Sequence, residues 1–271
     1  MARIVHFGKY YFPDTGGIES VTASLARGAA SAGHSVSVVC FKKTPARTKE
    51  VIDGVRVARA PLAMTIASQP LGFKYFFLCL KASKQADIVH LHTPNMLAAL
   101  CALFIGGKTK LLVHWHSDVV NKGLLGIMLR PREFGLLKRA ECFAATSQDY
   151  AEASETLAPH RHKMTVVSIG VLHTKGEGSG SPLPQLVKEK IFGKKIILAI
   201  GRLAPYKGFE VLVLPAKNLS DDSIVVIVGQ GPLMHDLQKL VDSTGVSDRV
   251  VITGRLSEAV VQTLLTQAGA I

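Results

Sequence analysis

Two cations between glycines are the residues of this chain best suited to chemistry. Arg202 and Lys207 lie in the segment Gly201-Arg202-Leu203-Ala204-Pro205-Tyr206-Lys207-Gly208, directly after the apolar run KIILAI. An arginine and a lysine at a strand end can stabilise the charge that gathers on a departing diphosphate, with no metal ion needed. Gly201 and Gly208 leave backbone room on either side. A solvated loop with two ordinary cations is the competing reading. Downstream, Val228-Gly229-Gln230-Gly231-Pro232-Leu233 is a second strand–glycine–helix junction. Such turns are common, but beside the Arg–Lys loop Gly229 and Gly231 suggest a pocket lined by backbone N–H donors. Near the N-terminus, Phe12 to Glu19 reads FPDTGGIE. Gly16 and Gly17 there either bring the backbone close to an anion at a helix N-terminus or merely supply positive φ in a βα turn. The spacing is not G-x-G-x-x-G, which counts against a dinucleotide dehydrogenase.

Two His-x-His pairs, His90/His92 and His114/His116, fall at expected strand ends. Residues i and i+2 share a strand face, so either pair offers two imidazoles to a metal. No cysteine, aspartate or glutamate recurs at a spacing that supplies a third ligand, and no metal site is expected. His116 is followed by Ser117 and Asp118 at the carboxyl end of a strand, the edge at which open α/β sheets bind ligands. There it can hydrogen-bond a sugar hydroxyl or a peptide carbonyl, with Asp118 beside it. A histidine satisfied by local backbone is the alternative.

Apolar β-rich runs alternate with helical patterns, the mark of parallel βαβ architecture. Strands are expected at Ala2–Phe7, His34–Phe41, Val55–Arg59, Asp87–His92, Lys110–Trp115, Glu141–Thr146 and Met164–Ser168. Helices are expected at about Glu19–Ser31, Gly72–Ser83, Asn95–Phe104 and Asp149–Leu157. The stretch Thr174–Pro184, TKGEGSGSPLP, breaks the composition. Strands then resume at Ile196–Ile200, Ser223–Val228 and Val250–Thr253, with helices at Phe209–Asn218, Leu233–Asp242 and Ser257–Gln267. The closing residues from Ala268 read as the start of another strand. The domains expected are 1–175, a linker 176–190, and 191–271.

Lysine plus arginine outnumber aspartate plus glutamate by 32 to 20, a formal charge of +12 that favours anionic partners. The segment Lys122–Arg139 sets basic heads among apolar side chains, suited either to an anionic bilayer surface or to a core-packed helix with a solvated edge. Aromatics make up 6% and are not interleaved with the cations, which argues against stacked single-stranded nucleic acid. The four cysteines are scattered without a C-x-x-C pair, as in a reducing compartment. The first apolar run is too short for a signal-peptide core. A cytoplasmic protein, or one held peripherally at the cytoplasmic face of the inner membrane, is expected.

These motifs together resemble glycosyltransferase family 4, the large retaining GT-B group. The resemblance spans the chain: F-P-x-x-G-G-x-E (Phe12 to Glu19), H-S-D (His116 to Asp118), G-R-L-x-x-x-K-G (Gly201 to Gly208), V-G-x-G-P-L (Val228 to Leu233) and V-x-x-x-G (Val250 to Gly254). It implies an α/β fold of two Rossmann-like domains with parallel sheets facing across a cleft. It implies transfer of a hexose, mannose or a relative, from a nucleotide-diphosphate sugar to a lipid-linked or polysaccharide acceptor, with retention and without an essential metal or other cofactor. The nucleotide sugar, the glycan acceptor and an anionic membrane surface are the implied partners; nucleic acid is not. In that scheme Gly16 and Gly17 lie against the donor, His116 touches the transferred sugar, and Arg202 and Lys207 clamp the diphosphate. Asp118, Gly201, Gly229 and Gly231 line the substrate site. Two departures stand out. Val167-Ser168-Ile169-Gly170-Val171 lacks the family's Pro-Asn before Gly-Val. The family's glutamate pair would follow the strand beginning at Ala268, so the second domain is expected to be incomplete. An inactive fragment or scaffold of the same fold, keeping only an anion pocket, is the alternative function.

Overall fold

Runs such as RIVHF, SVSVVCFK and SIVVIV are dense in β-branched residues, and the last is buried at every position, as a strand covered on both faces must be. The computed structural model describes residues 1–14, 16–43, 45–66, 68–118, 135–170 and 183–271. The chain divides into two units, Met1–Gly170 and Val171–Ile271.

In chain order the first unit contains β1 (Arg3–Phe7), α1 (Gly17–Ser31), β2 (Ser35–Lys42), β3 (Lys49–Ile52), β4 (Val55–Pro61), β5 (Met64–Ile66) and β6 (Gln69–Leu71). There follow α2 (Phe73–Ser83), β7 (Ile88–Thr93), α3 (Met96–Ala102), β8 (Lys110–Trp115), β9 (Cys142–Ala145), α4 (Gln148–Ala153), a 3-10 turn (Ala158–Lys163) and β10 (Met164–Val166). Its sheet runs β10-β9-β8-β7-β1-β2-β4-β3 and is parallel except for the edge strand β3. From β1 the chain moves outward to β2 and β4, then crosses back to place β7 on the other side of β1. The point between β1 and β7 is therefore where strand order reverses, and its carboxyl edge is where such sheets open a crevice.

The second unit contains α5 (Gln185–Ile191), β11 (Lys195–Ile200), a 3-10 turn (Pro205–Lys207), α6 (Glu210–Val213), a further 3-10 turn (Leu214–Asn218) and β12 (Ser223–Val228). It continues with α7 (Met234–Ser243), β13 (Val250–Gly254), α8 (Glu258–Gln267) and β14 (Ala268–Ala270). Its parallel sheet runs β13-β12-β11-β14, with the reversal between β11 and β14. The strand expected from Ala268 is present and pairs with β11.

Several expectations need amendment. The helix expected over Phe209–Asn218 breaks after Val213, because Pro215 has no N–H to continue the α pattern and the chain tightens to 3-10. Residues 185–190, expected as linker, belong to α5, whose Val187 and Ile191 are one turn apart and buried against β11 and β12. Residues 171–182, with most of the Gly/Ser stretch, lie outside the described residues. So does most of the basic segment Lys122–Arg139; its end, residues 135–139, is helical, with Leu136 and Leu137 buried in the first-unit core.

Candidate active site

The loop that leaves β1 is fixed at two points by buried polar groups. The Tyr75 hydroxyl, fully buried under α2, donates to the Gly8 carbonyl at 3.0 Å and accepts from Asn95 Nδ2 at 3.1 Å. Further along, the Phe12 carbonyl accepts from the guanidinium of Arg59, which is itself buried and paired with Glu50. That scaffold delivers the chain to Gly16, the extended N-cap of α1, and Gly17, its first residue. A Cβ on Gly16 would stand 2.2 Å from Glu19 Oε2, whereas one on Gly17 would meet nothing. The Glu19 carboxylate thus stands at the α1 N-terminus, where a bound anion would also sit, and an anionic ligand must displace it.

Register decides what happens beside that loop. His6 pairs with His90 across β1 and β7, and His92 pairs with His114 across β7 and β8. Neighbouring residues on paired strands share a face, as do i and i+2 on one strand. His6, His90, His92, His114 and His116 therefore form one imidazole row across three strands. His114 and His116 stack with centroids 4.3 Å apart, and His90 and His92 with centroids 4.5 Å apart. His6 Nδ1 lies 3.0 Å from His92 Nε2, and His92 Nδ1 lies 3.1 Å from His116 Nε2. Burial lowers the pKa of His6 and His116 to about 3, and that of His114 to about 4. His90 and His92 are held well below the usual range, first by burial and then by the other imidazoles. All five are neutral bases at pH 7.

His116, just past β8, is only partly buried. Its Nε2 faces His92, which leaves Nδ1 as the nitrogen for a ligand. Asp118 is held by the fold through one carboxylate oxygen. Its Oδ1 accepts from Trp115 Nε1 at 2.9 Å and from Ser154 Oγ at 3.1 Å, tying the H-S-D turn to β8 and to the end of α4. Asp118 thereby positions His116.

In the second unit the Arg–Lys loop leaves the carboxyl end of β11, at the reversal point of its sheet. Arg202, Tyr206 and Lys207 are exposed, and among the described residues neither Arg202 nor Lys207 has an ion-pair partner. Lys207 Nζ lies 5.6 Å from the Tyr206 ring centroid. Gly208, at φ 64°, ends the 3-10 turn in the left-handed region. Gly229 and Gly231 explain themselves by contact: a Cβ on Gly229 would sit 1.8 Å from the Gly201 carbonyl oxygen, and one on Gly231 would sit 2.1 Å from that of Leu203. The two loops are zipped backbone to backbone, Gly201 N–H to Val228 O, Leu203 N–H to Gln230 O and Leu233 N–H to Leu203 O, while Gly229 N–H binds Gly254 O. Those N–H groups, that of Gly229 among them, are spent within the fold, so Gly229 is not the free donor it was expected to be. What the glycines supply is the close approach that holds Arg202.

The structure brings His116 together with Asp118, and Arg202 together with Gly201, Gly229 and Gly231. The sequence reading missed His6, Arg59 and Tyr75. His6 carried no signal of its own; only the strand order places it beside His90.

Residues 16–170, more than half of the chain, match the family described as glycosyl transferase 4-like domain. The chain belongs to that glycosyltransferase family. Residues 186–271 match glycosyl transferases group 1. O-antigen chain mannosyltransferase C of Escherichia coli is 28% identical over 257 residues, 94% of this chain and 68% of that protein. D-rhamnosyltransferase WbpZ of Pseudomonas aeruginosa is 28% identical over 260 residues, 94% of this chain and 66% of that protein. The chain spans about two thirds of the length of these relatives. Among solved structures, Anabaena HepE in complex with UDP and glucose superposes with a TM-score of 0.74 at 14% identity, over 99% of this chain and 72% of that one. This likeness shows the fold, two Rossmann-like α/β units of the GT-B glycosyltransferases. Among the described residues no helix of this family member is long and apolar enough to cross a membrane.

Proposed function

We propose that the protein is a retaining glycosyltransferase that moves a hexose, mannose or a close relative, from a nucleoside diphosphate to a lipid-linked or polysaccharide acceptor in the building of a cell-surface glycan. Family membership and the likeness to an O-antigen chain mannosyltransferase and a D-rhamnosyltransferase support the reaction class. The observation that carries the reading is the exposed Arg202 and Lys207, without an ion-pair partner among the described residues, on the loop leaving the reversal-point strand β11. As the glycosidic bond to the donor breaks, the bonding electrons pass to the diphosphate, and the guanidinium and ammonium neutralise them. The departing phosphate oxygen takes the acceptor hydroxyl proton, so no protein nucleophile or cofactor is assigned a step. His116 Nδ1 holds a hydroxyl of the transferred sugar.

Calorimetric titration of UDP and GDP into the chain and into an Arg202→Ala/Lys207→Ala variant tests this. Two lost charge-assisted contacts weaken binding by roughly tenfold or more. Superimposable titrations would overturn the clamp.

An anionic membrane surface remains part of the proposal, and a second segment, besides Lys122–Arg139, suits it. Phe73 and Phe77, one turn apart on α2, are exposed together with Phe104 after α3, and Lys74, Lys81 and Lys84 flank them. Aromatic and cationic side chains on one short helix suit the interface of an acidic bilayer. Co-sedimentation with vesicles containing phosphatidylglycerol, lost in a Phe73→Ser/Phe77→Ser variant, is the expected result; equal sedimentation of both proteins refutes it.

A further inference from the structure

The imidazole row contains more lone pairs than the fold uses. Among the described residues His6 Nε2, His90 Nε2 and both nitrogens of His114 are buried with no hydrogen-bond partner. Each such group destabilises the fold unless something satisfies it. Among the described residues no carboxylate pairs with or hydrogen-bonds to these five rings, whose ring neighbours are one another. Within the row, one nitrogen each from His92, His114 and His116 fall within 4.8 Å of one another.

We propose that His92, His114 and His116 form a three-imidazole site for a divalent transition metal, with zinc the best-fitting ion. Neutral imidazoles select zinc, copper, nickel and cobalt over magnesium or calcium. Three histidines with an open fourth position are an established zinc donor set. With Zn–N bonds of about 2.0–2.1 Å, a tetrahedral ion sets its ligand nitrogens roughly 3.4 Å apart. The pair His92 Nδ1 and His116 Nε2 already stands at 3.1 Å, and the ion replaces the proton they share. One of the two orphaned nitrogens of His114 supplies the third bond once its ring, now stacked on that of His116, turns to bring an in-plane lone pair onto the ion. His92 Nε2 then carries the proton and donates it to His6 Nδ1 at 3.0 Å, the outer hydrogen bond that fixes a ligating histidine's tautomer. His116, partly exposed at the strand end, provides the way in and faces the open fourth position. The triad His6, His90 and His92 has similar spacing but is buried throughout and offers no such entry.

The site lies wholly on the first unit, and the proposed diphosphate clamp lies on the second, so the two readings fail separately. Chelator-stripped chain is titrated with Co2+, whose tetrahedral complexes absorb intensely in the visible, and then with Zn2+ in competition. One metal per chain, displaced by zinc, is expected, together with a zinc-dependent rise in Tm. His114→Ala and His116→Ala abolish the band, His6→Ala weakens zinc binding by roughly 10–100-fold, and His162→Ala, at an exposed site, changes nothing. Far-UV circular dichroism confirms that each variant is folded; should His114→Ala unfold, His116→Ala carries the test. Absence of a cobalt band with no zinc-induced rise in Tm overturns the proposal. So does undiminished uptake in folded His116→Ala.

Discussion

Mild acid is the sharpest test of the imidazole row. A folded-state pKa below the unfolded value of about 6.5 means that the unfolded chain binds protons the folded chain refuses. Stability contributed by such a group is fully present above pH 6.5 and is lost as pH falls towards the folded pKa. With His6 held at about 3 and His114 at about 4, the window opens at pH 6.5 and runs to about pH 4 for His114 and about pH 3 for His6. At pH 5 each imidazole has surrendered about 2 kcal/mol, so these two alone cost about 4 kcal/mol. His116, also held at about 3, adds a similar loss, which brings the total to the lower end of the about 5–15 kcal/mol that holds a domain together; His90 and His92 are shifted in the same direction. Asp87 and Asp222, lowered to about 2 by Arg3 and by Lys195, act only below pH 4 and leave the interval between pH 6 and 5 to the imidazoles. The assay is denaturant unfolding at a series of pH values with chelator present, read by tryptophan fluorescence. Trp115 is the only tryptophan, and it sits between His114 and His116, so the signal reports the first unit. The expected slope between pH 6 and 5 is at least two protons, about 3 kcal/mol per pH unit. A slope below one proton would refute the linkage.

Three further outcomes are expected. Gly229→Ala or Gly231→Ala drives a methyl into a carbonyl on the neighbouring loop and forces the two backbones apart. Unfolding of the second unit by urea then shows a loss of more than about 2 kcal/mol, with weaker nucleotide binding. Arg59→Met leaves Glu50 and the Arg47 and Phe12 carbonyls without their donor, at about 3 kcal/mol in first-unit stability; a change under about 0.5 kcal/mol would contradict the anchoring role. Arg202→Ala lies in an exposed loop and shifts Tm negligibly while weakening diphosphate binding; equal losses of both would make it a structural residue.

Much of the α/β alternation was legible because buried parallel strands leave a strong mark. KIILAI and SIVVIV can hardly be anything else, and β11 and β12 fall where their apolar runs do. Short or half-polar elements were harder. β3 reads KEVI, exposed at every other residue, and its apolar content is too low to register as a strand. Yet the turn behind it, Asp53-Gly54 with φ of 49° and 78°, is the Asp-Gly pair that two-residue hairpins demand, and that signal stood in the sequence unread. α5 hid behind Pro184 and a glycine-serine stretch. Its defining feature is only that Val187 and Ile191 fall one turn apart.

The site was legible to the extent that its chemistry is local. Arg202 and Lys207 belong to one loop, and the glycines around them could be read as markers of close approach. The contact they permit is to the neighbouring loop's backbone, because a missing Cβ does not announce whether ligand or protein fills its place. The histidines show the opposite limit. His90/His92 and His114/His116 looked like two incomplete pairs, each lacking a third ligand, because sequence spacing sees only one strand at a time. Strand order supplies the rest: once β7 lies between β1 and β8, pairs separated by more than twenty residues become neighbours, and His6, with no partner within its own strand, completes the row. Any metal-ligand search confined to spacing along the chain will miss a donor set whose members come from different strands of a parallel sheet, since every crossover inserts a helix between them.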